Sequence, residues 1–124
     1  MLVLTRTAYD DIIDHALAGT PAEVCGILGG SHGNDRSHVE RVERTENVAD
    51  RPRTTYEIGA EQQLRTMEAI EDAGLDVAGF YHSHPTGPPE PSGTDAARAT
   101  WPGHSYVIVV LDGTHPYVGV AALA

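Results

Sequence analysis

The sequence contains no lysine, and cysteine, phenylalanine and tryptophan each occur once among 124 residues. A single cysteine excludes an internal disulfide, which agrees with a reducing compartment. No apolar run is long enough to span a membrane, and the N-terminus lacks the charged lead and long apolar stretch of a signal peptide. We therefore expect a cytoplasmic protein that does not bind membranes, with residues 1–124 forming a single domain.

The charge balance is strongly acidic. Eighteen acidic residues stand against eight basic residues, all of them arginine, and the formal net charge is −10. Such a surface repels nucleic acid, so we expect no nucleic-acid partner. The same balance fits an acidic bacterial protein, but the missing lysine favours a halophilic one. Concentrated salt shortens the Debye length to about 3 Å at 1 M and screens the repulsion among carboxylates.

Apolar spacing and turn residues predict helices and strands in irregular alternation. Strands are predicted over 1–4, 23–29, 38–45, 54–58, 76–82, 105–111 and 116–123. Helices are predicted after an N-cap at Thr7, with a stop at Gly19, then over the region that Gly74 caps, and over 92–100. This order predicts an α/β fold in which helices flank a mixed central sheet.

The segment His82-Ser83-His84-Pro85 carries the most informative pattern. Two histidines at i and i+2 of an extended segment point to the same face. Pro85 ends that segment, and the following loop returns the chain to Ser92 and Asp95. Two neutral imidazoles, one carboxylate and a position left to water are the ligand set of a catalytic zinc site. By spacing alone, two alternatives stay open: a chance His-x-His pair, and a capping role for Ser92 and Asp95.

Four motifs occur in the same order as in a known family. Glu23-Val24-Cys25-Gly26 opens an apolar strand, followed by the His-Ser-His-Pro segment, by Pro-Ser-x-x-Asp ending at Asp95, and by residues 101–106 before the apolar run 107–111. Over nearly the whole chain this combination resembles the JAMM (MPN-plus) metalloproteases. The resemblance implies an α-β-α arrangement similar to that of cytidine deaminases. Relatives commonly continue beyond Ala124, so we expect a fold one element shorter or an edge covered by a partner.

The resemblance also implies the roles of individual residues. His82, His84 and Asp95 would hold one Zn²⁺ per chain, with water as the fourth ligand. Glu23 would pass the proton between the water and the leaving amine, and Ser92 would steady the oxyanion. From sequence alone, a solvated acid at a strand start is the favoured interpretation of Glu23, and only the resemblance assigns it the proton-transfer role. Cys25 lies in an apolar strand without a basic neighbour, which is typical of a core residue rather than a nucleophile.

The implied activity is that of a zinc-dependent isopeptidase. The expected substrate is the bond between the C-terminal glycine of a ubiquitin-like small modifier and a lysine of a target protein, and linear fusions are a second form. Together with the halophilic composition, the resemblance points toward an archaeal desampylase. The alternatives are a peptidase that processes a sulfur-carrier protein or releases cysteine from it, and a non-catalytic scaffold of the MPN fold. The set Glu23, His82, His84 and Asp95 argues against the scaffold, which need not keep all four.

Overall fold

The computed structural model describes residues 1–33, 35–85 and 104–111, and the backbone of 117–121. These residues form two helices, α1 (Arg6–Gly19) and α2 (Ala60–Asp72), and six strands: β1 (Leu2–Leu4), β2 (Cys25–Ser31), β3 (Ser37–Thr45), β4 (Asp76–His84), β5 (Ser105–Val110) and β6 (Tyr117–Ala121). The strands build one sheet in the order β1-β3-β2-β4-β5-β6. The pairs β1–β3 and β4–β5 are parallel and the others antiparallel, so the predicted mixed α/β sheet is confirmed. Neither described helix has the length and hydropathy that a bilayer crossing requires.

The two helices cover opposite faces of the sheet. Ala8, Ile12 and Ala16 of α1 pack in one buried cluster with Leu28 of β2. Ile70 of α2 packs in a second cluster with Ile27, the residue that precedes Leu28 in β2. Successive residues of a strand point to opposite faces, so the clusters lie on either side of the sheet. The central strands β2, β4 and β5 are therefore buried on both faces, as their continuous apolar runs predict.

A register shift in β4 sets the face on which its C-terminal half points. Leu28 pairs with Gly79, whereas Gly29 pairs with Val77, so Ala78 is an extra residue opposite β2. Val77 and Phe80 consequently lie in the same cluster on the α2 side, three positions apart. Such a bulge inverts the alternation of a strand.

Two local predictions are wrong. Thr5, not Thr7, caps α1, because its hydroxyl oxygen accepts a hydrogen bond from the Ala8 amide at 3.0 Å. Residues 54–58 form no strand; the segment makes only an isolated bridge between Asn47 and Ile58. The end of α2 agrees with the prediction, since Gly74 follows the helix with a φ of 82°, a left-handed conformation that favours glycine. The predicted helix over 92–100 lies outside the described residues.

Helix α1 is tied to β4 by a polar pair. His15 Nδ1 and the Tyr81 hydroxyl lie 2.6 Å apart. Burial, helped by the positive charge of Arg44, lowers the pKa of His15 to about 4. Burial likewise raises the pKa of Tyr81. Both groups are therefore neutral near pH 7. The His15 ring is partly buried against the strand that carries His82.

Candidate metal centre

Strand β4 delivers both histidines of the His-Ser-His-Pro segment to one face. His82 and His84 alternate with Phe80, so their side chains lie on the α2 side of the sheet. Both are buried, and their Nε2 atoms are 3.1 Å apart. The buried Tyr56 ring stacks on His82 with centroids 4.3 Å apart and fixes one side of the pair.

Antiparallel pairing with β2 brings Glu23 to the same place. Cys25 is the cross-strand partner of His82, and Glu23 precedes it by two residues. The Glu23 side chain is buried, and one of its carboxylate oxygens lies with a ring nitrogen of His82 and one of His84 in a group whose atoms are all within 4.8 Å of one another. A glutamate far away in sequence thus joins the two histidines, as the family resemblance implies.

The chemistry of this group fits a divalent metal ion. Two ligands about 2.0–2.1 Å from a tetrahedral Zn²⁺ are about 3.3 Å apart, close to the separation of the two Nε2 atoms. Neutral imidazole and carboxylate are ligand types that zinc accepts. The 4.8 Å limit covers both direct ligation by Glu23 and contact through a water molecule. Within the part of the chain that the structure describes, this is the one group of three such residues.

A steric contact explains why glycine stands at position 26, the last residue of the Glu-x-Cys-Gly motif. The ring of Tyr81 lies directly over its Cα, and a Cβ at this position would overlap the ring carbons. Tyr81 precedes His82 and fills the α1 side of β4, where it belongs to the buried cluster. Gly26 therefore allows β2 and β4 to pair closely where they hold Glu23 and His82.

Cys25 has the environment of a core thiol. It is fully buried, and the Thr45 hydroxyl donates a hydrogen bond to its sulfur at 3.4 Å. Burial, together with the negative charge of Glu23, raises the pKa of the thiol to about 11. A thiol that remains protonated at neutral pH is a poor nucleophile. The position of Cys25 thus agrees with its predicted packing role.

Ser92 and Asp95 lie outside the described residues, so their implied roles as oxyanion donor and third ligand stay predictions. The structure adds two residues that the sequence pattern did not single out, Tyr56 and Asn47. Tyr56 belonged to a wrongly predicted strand, and its stacking on His82 depends on tertiary packing. Asn47 forms an Asx turn, since its Oδ1 accepts a hydrogen bond from the amide of Ala49 two residues later. Asparagine is typical of such turns, so this residue has a local sequence signal.

Comparison with known proteins shows the family of the chain. Residues 5–120 match the family described as "Prokaryotic homologs of the JAB domain". The chain belongs to this family. It is 45% identical to the desampylase of Haloferax volcanii, over 95% of this chain and 88% of that protein. It is also 36% identical to the CysO-cysteine peptidase of Mycobacterium bovis, over 93% and 77% of the respective chains.

A solved structure supports the fold independently of sequence. The JAB1/MPN domain protein of Archaeoglobus fulgidus superposes with a TM-score of 0.61 over 98% of this chain and 88% of that one. The two sequences are only 18% identical, so this likeness concerns the fold alone. The predicted family and its fold are therefore confirmed, and the relatives identify the chain as a hydrolase of the JAMM type.

Proposed function

We propose that this protein is a zinc-dependent isopeptidase that removes a ubiquitin-like small modifier from lysines of target proteins. The observation that carries the proposal is the buried group of Glu23, His82 and His84 in a chain 45% identical to a desampylase. A buried set of two imidazoles and a carboxylate offers both metal ligands and a proton acceptor in one place.

His82 and His84 would hold one Zn²⁺ per chain, with Asp95 as the third protein ligand. When bound, the ion would supply Lewis acidity that polarises a carbonyl oxygen and lowers the pKa of a bound water molecule to about 7. Glu23 takes the proton of the attacking water and returns it to the leaving lysine amine. The amide C–N bond breaks, and the modifier leaves with a C-terminal carboxylate. Ser92 donates a hydrogen bond to the oxygen that gains charge.

A modifier that ends in glycine suits this chemistry. A Gly-Gly tail has no side chains that would clash when it lies extended beside a recessed metal ion. Its backbone can also pair with an exposed strand edge. We expect cleavage after the terminal glycine of isopeptide conjugates and of linear fusions. Replacing that glycine by a bulky residue should abolish cleavage without changing the zinc content of the enzyme. If bulky and Gly-Gly tails are cut equally fast, a general metallopeptidase is the better description.

The direct test is a cleavage assay with two substrates, an isopeptide conjugate and a linear fusion of the modifier. Both should be cut, and a chelator should stop cleavage until zinc is restored. Chelator-insensitive cleavage would contradict the metal mechanism. Absence of cleavage of both substrates by the zinc-loaded enzyme would contradict the isopeptidase proposal.

The second candidate function is release of cysteine from the C-terminus of a sulfur-carrier protein. It is favoured by the identity of 36% to a CysO-cysteine peptidase, and it would use the same residues. A sulfur-carrier protein ending in Gly-Gly-Cys, tested beside the lysine conjugate at equal concentration, separates the two. A higher kcat/KM for the lysine conjugate supports the isopeptidase.

A halophilic, archaeal origin is a further part of the proposal. It is supported by the net charge of −10, by the absence of lysine and by the identity to a Haloferax protein. Arginine carries every basic charge of the chain.

A further inference from the structure

We infer that Asn47 and Ser83 are positioning residues that clamp the backbone of Glu23 and so set its carboxylate against the two histidines. The inference rests on the proposed function, in which Glu23 moves the proton. It concerns two side chains that do not themselves belong to the metal-binding group.

Three hydrogen bonds hold the backbone on either side of the Glu23 Cα. The Glu23 amide donates to the Pro52 carbonyl at 2.7 Å. Asn47 Nδ2 donates to the Glu23 carbonyl at 2.9 Å. The next amide, that of Val24, donates to the Ser83 hydroxyl oxygen at 2.8 Å. Glu23 lies before the first paired residue of β2, and two of the three partners are accordingly side chains.

Ser83 ties Glu23 to the strand that carries the histidines. It lies between His82 and His84, points to the opposite face and is fully buried. Its own amide donates to the Val24 carbonyl at 3.0 Å, so Ser83 meets both polar backbone atoms of Val24. This extends the contact between β2 and β4 to the residue next to Glu23. A shift of Glu23 along β4 would break both bonds.

Asn47 ties Glu23 to the segment that carries Tyr56. Its Nδ2 also donates to the Thr55 carbonyl at 3.0 Å, and its Oδ1 accepts from the Glu57 amide at 3.0 Å. These two contacts flank Tyr56, whose ring stacks on His82. One amide group therefore fixes the Glu23 backbone and the aromatic neighbour of His82 together.

Such a clamp matters because proton transfer depends steeply on distance. A displacement of about 1 Å at a reacting group costs on the order of 100-fold in rate. Glu23 stands at the end of a strand, where backbone is held less firmly than in a ladder. The side chains of Asn47 and Ser83 replace the missing ladder bonds.

The test compares variants in zinc content, kcat and KM on the isopeptide conjugate. Asn47→Ala removes the hydrogen bond to the Glu23 carbonyl together with the other contacts of the Asn47 side chain. Asn47→Asp keeps the size and the acceptor of the side chain but loses the donor to Glu23. Ser83→Ala removes the bond to Val24. Each variant should retain one zinc per chain and a KM within about threefold of wild type, while kcat falls roughly 10- to 100-fold.

Gln62→Ala is the matched control. Gln62 Oε1 accepts from the Glu46 amide at 3.0 Å, so this change removes a similar side-chain bond to the residue adjacent to Asn47 without touching Glu23. We expect a kcat close to wild type. In a Glu23→Ala background, adding Asn47→Ala should change the residual rate less than about twofold, because residues that act through one group are not additive.

The outcomes are distinguishable. A wild-type enzyme that cuts neither modifier substrate refutes the proposed function, and the clamp's role in it. A wild-type enzyme that cuts the conjugate, with undiminished kcat in zinc-loaded Asn47→Ala and Ser83→Ala, refutes the clamp alone. A kcat loss that only follows zinc loss, or that persists fully in the Glu23→Ala background, also overturns it. If Asn47→Ala does not fold, Asn47→Asp and Ser83→Ala decide by the same criteria.

Discussion

Replacing Glu23 by alanine should separate metal binding from catalysis. Glu23 is buried beside His82 and His84, and its backbone is held by Pro52 and Asn47. Those backbone bonds do not involve the carboxylate, so the alanine variant should keep the local fold. If Glu23 is the proton carrier and not a ligand, zinc remains at one ion per chain.

The expected loss follows from the role of a general acid–base group. Such a group contributes about 10²- to 10⁴-fold to the rate, which corresponds to about 3–5 kcal/mol of transition-state stabilisation. In the proposed mechanism Glu23 moves a proton and does not bind the modifier, so KM should change little. Glu23→Gln, which keeps the shape but cannot accept the proton, should lose a similar amount.

The assay combines metal analysis of the dialysed protein with steady-state cleavage of the isopeptide conjugate. Wild type and both variants are compared at equal zinc occupancy. Loss of zinc from Glu23→Ala would make Glu23 a ligand and reject the assignment. A rate within a few fold of wild type, with zinc bound, would equally refute the reasoning.

Three further predictions concern the thiol, the salt dependence and the buried histidine. Cys25→Ser should retain activity and cost only packing stability, while chelators inhibit; the reverse pattern would indicate a thiol protease. The melting temperature should rise from dilute to molar KCl as salt screens the repulsion among carboxylates; a flat or falling value would contradict a halophilic protein. The pKa of His15 is lowered from 6.5 to about 4 on folding, so unfolded chains bind the proton more tightly and stability should fall as the pH drops from about 6.5 toward 4. His15→Gln, measured by denaturant unfolding in molar KCl, should lessen the total loss of unfolding free energy between pH 6.5 and 4 by on the order of 1–3 kcal/mol. An unchanged loss would place the acid sensitivity elsewhere.

The sequence predicted those elements whose signal is local. Alternating and continuous apolar runs identified β2, β4, β5 and β6 closely, and the glycine after α2 identified its end. The His-x-His spacing was sufficient to place His82 and His84 on one face, because side-chain alternation in a strand has period two. Nothing in the spacing could place Glu23 there, since its position depends on antiparallel pairing between β2 and β4. Only the family resemblance supplied it.

The wrong predictions also have physical causes. Thr5 and Thr7 are both good caps, and the choice between them is made by tertiary structure: the Thr5 amide also bonds to the Val39 carbonyl at 3.1 Å. Residues 54–58 have strand-like composition, but their backbone is arranged around the side chain of Asn47 instead of a neighbouring strand. Long-range partners thus decided both cases.

The extra residue at Ala78 has a consequence for how tolerant this chain is to changes in length. Because of it, β4 consists of two short stretches in opposite phase, with Val77 and His82 on one face although they are an odd number of positions apart. Deleting a single residue at the bulge would give a regular strand, but one stretch would have to turn over. Either Val77 would leave the core or both imidazoles would face α1, away from Glu23. Substitutions within the core at this point are therefore a smaller change than any insertion or deletion.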